Sequence, residues 1–337
     1  MIGVMPPAPP RRALSAIVAA TALALTTAAC QSGPDTGSGA GPADGSIVTS
    51  FYPIQFATQQ ITGGRLPVTV LTKPGAEPHD LELAPQDIGG MTKARLVVYA
   101  DGFQPAVDEA VGLVDAAKVL DVADVAKLVP ASTDDSDHAD ESGTETEPHD
   151  TTGAGDGHDG HDHGADDPHF WLDPSRYAAV AEAISARLSQ DDPENAATYA
   201  KNTAVFVEKL SELDDEMRTG LRQCTVKELV TSHAAFGYLA ARYGFHQRGI
   251  TGVSPEADPS AAALKAVGDL VRSAGVTTIY QETLVEPHFA QTVAESTGAE
   301  VATLDPIEGI TSASVGTDYF EVMRSNLVAL RDGQECS

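Results

Sequence analysis

The sequence predicts an α/β fold of two (β/α)-type lobes with mainly parallel sheets, joined by a long rigid α-helix. Three observations carry this expectation. From Ser46 onward, short apolar runs alternate with amphipathic segments, the pattern of βα units built around a parallel sheet. In the middle of the chain, "DPENAATYAKNTAVFVEKLSELDDEMRTGLRQ" (Asp192–Gln223) runs without a helix breaker after its first turn. The two halves also echo each other. "VTSFYPIQFA" at Val48 and "VTSHAAFGYLA" at Val230 both read as a strand ending in Val-Thr-Ser, followed by an aromatic-containing helix.

Taken in order, "SIVTSF" is a strand and "PIQFATQQITGG" a helix closed by Gly63 and Gly64. "PVTVLT" (Pro67–Thr72) is a strand, "APQDIGGMTKA" a short helix, "RLVVYA" (Arg95–Ala100) a strand, and "AAKVLDV" (Ala116–Val122) a fourth. Residues 131–167 then carry Asp, Glu, Gly, Thr, Ser and His with almost nothing apolar. Such a tract buries too little surface to offset its ordering entropy, so it is expected to be a disordered insertion. "SRYAAVAEAISARLSQ" (Ser175–Gln190) returns to helix. The central helix follows, opened by an Asp cap and Pro193, with Tyr199, Phe206, Leu210, Leu213 and Met217 at helical spacing. Thirty residues would make a rod of about 45 Å. Beyond it, "TVKELVTS", "VTTIYQE" and "EVATLDP" read as strands, with "HAAFGYLAARYG", "PSAAALKAVGDLVRSAG", "PHFAQTVAESTG" and "DYFEVMRSNLVALRDG" as helices. The expected division is therefore a first lobe over 46–190, a connecting helix over 191–223 and a second lobe over 224–337.

The N-terminus reads as a processing signal. Arg11 and Arg12 precede the small-residue apolar run Ala13–Ala29, which ends in "LTTAAC". That ending resembles a lipobox, so residues 1–29 are expected to be removed and Cys30 lipidated. Residues 30–45 would then be a flexible tether, and the protein would be exported and anchored to the outer face of the cytoplasmic membrane. The remaining cysteines, Cys224 and Cys336, form an even pair in an exported chain and are expected to be disulfide-bonded.

Net charge is −28, which excludes nucleic acid as a partner because phosphate binding needs basic patches. The acidity is uneven: no Lys or Arg lies between Lys127 and Arg176, while thirteen of the 49 acidic residues fall between Asp134 and Asp167. The same stretch holds His138, His149, His158, His161 and His163. This composition reads as a loop that gathers cations near a better-built site.

In open α/β sheets, ligands bind beyond the carboxyl ends of the strands. Four metal-capable residues are expected there: His79 in "GAEPHDLELAP", His169 in "DPHFWLDP", His233 in "VTSHAAFGY" and Asp305 in "ATLDPIEG". Two come from each half, which suits a cleft between lobes. Three imidazoles and one carboxylate favour Zn²⁺ over Mn²⁺, which prefers more oxygen donors. Glu282, ending the strand in "VTTIYQE", is an alternative ligand or a residue that orients a histidine. Glu77 is an outer or substitute ligand. His246 and His288 read as surface or packing residues. No HExxH run is present and no second carboxylate is placed as a base, so the reading is binding and not catalysis.

Together, "GAEPHDLELAP", "DPHFWLDP", "VTSHAAFGYLAARYG" and "LDPIEG", in this order and spacing, resemble the zinc- and manganese-binding solute-binding proteins of ABC importers, the ZnuA/TroA-like cluster A-I family. The resemblance runs from about Ile47 to the C-terminus. It implies a cleft metal held by His79, His169 and His233, with Asp305 as fourth ligand. His233 stands where the manganese branch carries Glu, and the His/Asp-rich insertion is a feature of the zinc branch. The implied role is capture of Zn²⁺ by a monomer and delivery to an ABC-transporter permease. Manganese or iron as cargo, or a surface adhesin or metal store, are the alternatives.

Overall fold

The computed structural model describes residues 45–131 and 166–337 of the chain. The first sheet contains β1 (Ile47–Thr49), β2 (Val68–Val70), β3 (Leu96–Tyr99) and β4 (Val119–Asp121), interleaved with α1 (Tyr52–Thr62), α2 (Pro85–Lys93) and α3 (Pro105–Val111). The short helix α4 (Ala123–Ala126) follows β4. All pairings are parallel and the order is β2-β1-β3-β4. β1 and β3 are fully buried, as expected for central strands covered by helices on both faces. Gly63 ends α1 at φ 56°, where a residue with a side chain would be disfavoured.

β5 (Val129–Pro130) and β6 (Asp166–Asp167) form a small antiparallel pair, Val129 facing Asp167. The two described ends of the acidic tract therefore meet. The tract's histidines (His138, His149, His158, His161, His163) lie outside the described residues, as do the apolar N-terminal run and Cys30.

α5 (Pro174–Asp191) starts at Asp173, whose side chain caps Ser175 N–H, with Pro174 in the first turn. The central helix α6 covers Ala196–Gly220, 25 residues or about 37 Å, shorter than the sequence suggested. The helix is shorter at both ends: residues 221–223 are a turn beyond it, and at its start the chain does something else. Pro193–Asn195 forms a separate 3₁₀ turn, and the Asp192 carboxylate accepts from Asn195 Nδ2 (2.9 Å) and Tyr199 Oη (2.7 Å) instead of capping the long helix. Nor is α6 a free-standing rod. Its buried face (Tyr199, Phe206, Leu210, Leu213, Met217) packs on α5, α1 and the C-terminal helix at Tyr319–Gly333.

The second sheet contains β7 (Glu228–Thr231), β8 (His246–Gly249), β9 (Thr278–Gln281) and β10 (Glu300–Thr303), with α7 (Gly237–Tyr243), α8 (Ala261–Ala274), α9 (His288–Thr297) and α10 (Tyr319–Gly333). Its order is β10-β9-β7-β8, again all parallel. Counted within each lobe, both sheets have the same order: second, first, third, fourth. The echo between Val48 and Val230 thus marks equivalent first strands. β8 was not expected from its polar sequence "HQRG". It lies at a sheet edge, where one side faces solvent and polarity is tolerated.

One core cluster runs through both lobes, joining Phe51 and Trp171 to Phe206, Leu229, Phe236 and Tyr319. Cys224 and Cys336 are disulfide-bonded, pinning the C-terminus beside the entry to β7. Closing this 112-residue separation is worth about 4–5 kcal/mol in chain-entropy terms. Among the described residues, no helix is long and apolar enough to cross a membrane.

Candidate metal centre

His79, His169, His233 and Glu308 converge between the lobes, each offering one donor atom, all within 4.8 Å of one another. Glu308 Oε1 is the hub. It lies 3.4 Å from His79 Nε2, 3.0 Å from His169 Nε2 and 3.3 Å from His233 Nε2. His169 Nε2 and His233 Nε2 are 3.4 Å apart. A tetrahedral zinc with donors at roughly 2.0 Å requires donor–donor separations of about 3.3 Å. Four edges of this cluster are therefore the right length for such a tetrahedron.

Each histidine is aimed by its local structure. His169 follows β6 and opens the 3₁₀ turn Phe170–Leu172. The Asp167 carboxylate accepts from both His169 N–H (2.9 Å) and Nδ1 (2.7 Å), which leaves Nε2 turned toward the centre. His233 follows β7 and uses the same device. Glu282 accepts its backbone N–H at 2.9 Å and its Nδ1 in a short contact. Gly249 at the end of β8 lets this turn sit close, since a Cβ there would lie 2.8 Å from Ala234 N and 2.4 Å from Thr251 O. His79 comes on the long loop after β2. Its ring meets the Phe103 ring edge-on at 4.6 Å, and Gln104 Nε2 holds the loop by donating to Pro78 O at 3.0 Å. His79 is 8% exposed and the other three ligand candidates are at most 1% exposed.

Asp305 is not in the cluster, and this corrects the sequence expectation. Its Oδ1 accepts the N–H of Ile307 at 2.8 Å, and its backbone is clasped by Asn326, which accepts from Asp305 N at 2.9 Å and donates to Asp305 O at 2.7 Å. The Asp is thus committed to a turn. That turn holds Ile307 at φ 60°, a left-handed conformation that costs a non-glycine residue roughly 1–2 kcal/mol, and delivers Glu308 into the centre. Asp is the residue that ties its own backbone two positions on. In "LDPIEG" the first carboxylate gives its Oδ1 to the turn, and the second carboxylate is the one that reaches the cluster. That rule was available in the sequence and would have selected Glu308. Asp167 was also missed, although a buried ligand histidine calls for a carboxylate partner.

Glu282 orients His233 and stands behind the donor cluster. Glu77 also lies outside it. Its Oε2 accepts the Asp80 N–H at 3.1 Å, and burial, then the nearby Glu308 charge, pushes its carboxyl up to about 7. His246 is exposed on the edge strand against Glu228, and His288 is exposed at the start of α9.

The electrostatics suit a cation. Burial alone would raise the Glu308 pKa, yet hydrogen bonds from His169, His233 and His79 hold it well below the carboxylate range. Burial opposes charge on His233, but Glu282 and Glu308 outweigh it and its pKa is well above the usual histidine value. His169 is raised similarly by Asp167 and Glu308 against its burial, whereas burial lowers His79. Burial raises Asp305. These directions favour protonated His169 and His233 in the metal-free centre, protons that a metal would have to displace.

The sequence profile of the zinc-uptake complex component A (periplasmic) family matches residues 47–333. The zinc-binding protein AdcA of Streptococcus pyogenes serotype M3 is 37% identical over 288 residues, covering 85% of this chain and 55% of its own. This chain therefore spans about half the length of the AdcA relatives. The high-affinity zinc uptake system protein ZnuA of Bacillus subtilis is 33% identical, covering 91% of this chain and 93% of its own. Among solved structures, Zn(II)-bound AdcA of Streptococcus pneumoniae superposes with a TM-score of 0.68 at 31% identity, covering 87% of this chain and 58% of that one. The laminin binding protein of Streptococcus agalactiae, described as bifunctional with adhesin and metal transporting activity, superposes with a TM-score of 0.70 at 29% identity, covering 86% and 99%. By the extent of these matches and its shared two-lobed architecture, the chain belongs to the ZnuA family of zinc-uptake solute-binding components.

Proposed function

We propose that this protein captures Zn²⁺ outside the cytoplasm through His79, His169, His233 and Glu308 and delivers it to an ABC permease. The observation that carries this reading is the spacing of donor atoms, 3.0–3.4 Å along four edges, around a buried carboxylate oxygen. Four protein donors in a closed site serve binding, whereas a catalytic zinc keeps one position for water or substrate. Three imidazoles and one carboxylate favour zinc over manganese. The names of the AdcA and ZnuA relatives support the same cargo.

Cys30 would carry a lipid anchor on the outer face of the cytoplasmic membrane, residues 31–45 would act as tether, and the protein would work as a monomer. The histidines of the 131–167 tract would gather zinc beside the cleft. The first lobe (46–190), the connecting helix (191–223) and the second lobe (224–337) would act as one holder. The laminin-binding neighbour supports a second reading, adhesion to a host surface by the same fold.

The test is a competitive titration of Zn²⁺ and Mn²⁺ into metal-free protein lacking residues 132–165. One tight site preferring zinc is expected, with none in the His169→Ala variant. Loss of tight binding with the tract alone would move the site to the tract. Laminin capture that persists in His169→Ala would separate adhesion from metal binding.

A further inference from the structure

The Glu308 turn and the His169 turn come from different lobes, and one side chain joins them. Trp171, two residues after His169, donates its indole Nε1–H to Pro306 O at 2.7 Å. Pro306 precedes Ile307, the residue held at φ 60°, and Glu308 follows directly. Trp171 is itself fixed. It is fully buried, its carbonyl accepts from Tyr319 Oη at 2.7 Å, and its ring lies 5.0 Å from Phe51 and 5.3 Å from the His169 ring, centroid to centroid. A left-handed isoleucine persists only where its surroundings over-determine it. Here the restraints are the Asp305 carboxylate, the Asn326 clasp and the Trp171 indole. Of these, only Trp171 reaches from the segment that carries His169.

We propose that Trp171 is a positioning residue of the centre, its indole N–H holding the Pro306–Glu308 turn so that Glu308 Oε1 sits among the three imidazoles. The proposal rests on the zinc reading above. Trp171 touches no metal donor of the second lobe directly and acts through Glu308. Losing the N–H frees the Pro306 carbonyl, lets the strained turn relax and moves the carboxylate off the 3.0–3.4 Å contacts that define the site.

The test is a double-mutant cycle on zinc affinity, measured by competition with a chromophoric chelator, using the unaltered protein, Trp171→Phe, Glu308→Gln and the double variant. Removing an orienting partner typically costs 10–100-fold in metal affinity, so Trp171→Phe is expected to weaken zinc by about tenfold. In the Glu308→Gln background the same change should cost less than about twofold, because the group it positions no longer binds as a carboxylate. An equal loss in both backgrounds, or no loss in either, overturns the proposal. Should Trp171→Phe fail to fold, replacement by benzothienylalanine keeps the ring shape, puts sulfur in place of N–H and decides the matter by the same two comparisons. Absence of tight zinc binding by the unaltered protein would overturn the zinc reading itself, a result distinct from additivity in the cycle.

Discussion

The two sheets share one strand order, yet their carboxyl ends do different work. In the second lobe, the turns after β7, β9 and β10 bring His233, Glu282 and Glu308. In the first lobe, the equivalent of His233 is Phe51, which caps the start of α1 and packs against Phe103 and Trp171 at 4.6 and 5.0 Å. The turn after β3 supplies Phe103 itself, the edge of which meets His79. The strand-end turns of the second lobe bring charged groups, whereas those after β1 and β3 bring the apolar rings Phe51 and Phe103, and the first lobe's His79, His169 and Asp167 come from a loop and from the segment around β6. This division has a physical consequence. Apolar walls lower the local dielectric and strengthen every interaction between the donors and a cation. A site duplicated on both lobes would have buried twice the charge without that shield.

The sharpest way to break this comparison is to remove donors from each side. His169→Ala and His233→Ala should each weaken zinc by more than about a hundredfold, beyond the loss expected of any supporting residue, as read by chelator competition. A large loss from one lobe only would mean that the cleft is not shared. Next come the orienting carboxylates. Asp167 and Glu282 each hold a histidine by its backbone N–H and its Nδ1, so Asp167→Asn and Glu282→Gln should each cost 10–100-fold and by similar factors.

Proton linkage sharpens the picture further. In the metal-free centre, carboxylate partners raise the pKa values of His169 and His233, so both imidazoles hold protons that zinc must expel. Affinity should therefore rise with pH and fall as pH drops, with protons released on binding. Calorimetric titration in two buffers of different ionisation enthalpy measures that release, and zero release would contradict the assigned partners. The apolar wall is tested by Phe51→Ala, which should destabilise the fold by about 3–5 kcal/mol in denaturant unfolding. The smallest expected effect is from His246→Ala and His288→Ala, which should leave zinc affinity unchanged within a factor of about two, as both side chains are exposed and away from the cleft.

The same comparison explains what the sequence made legible. The repeated Val-Thr-Ser marked the first strand of each lobe, and the position after it pointed to His233, which the structure places in the donor cluster. His79 and His169 were readable because each follows a strand on a short motif with turn residues around it. Glu308 was passed over for Asp305 because both follow β10. The tendency of Asp to tie its own backbone two positions on pointed to Glu308, and the Ile307 N–H bond to Asp305 Oδ1 shows that tendency at work. The extent of α6 was overestimated at both ends, because nothing in the periodicity marks the turn at 221–223 or the break at Asp192–Asn195. Side-chain bonds from Asp192 to Asn195 and Tyr199 make a separate turn there, a local competition that periodicity does not reveal. β8 was missed because its pairing at a sheet edge is a tertiary fact. The shared core across both lobes was hidden for the same reason, since nothing in the spacing of Phe51 and Tyr319 shows that one cluster holds them.

The measurement that tests the central claim most directly is anomalous diffraction at the zinc edge from crystals of the zinc-loaded protein lacking residues 132–165. The account predicts one strong peak within roughly 2.0–2.2 Å of His79 Nε2, His169 Nε2, His233 Nε2 and a Glu308 oxygen. A peak ligated by Asp305, or none between the lobes, would contradict it.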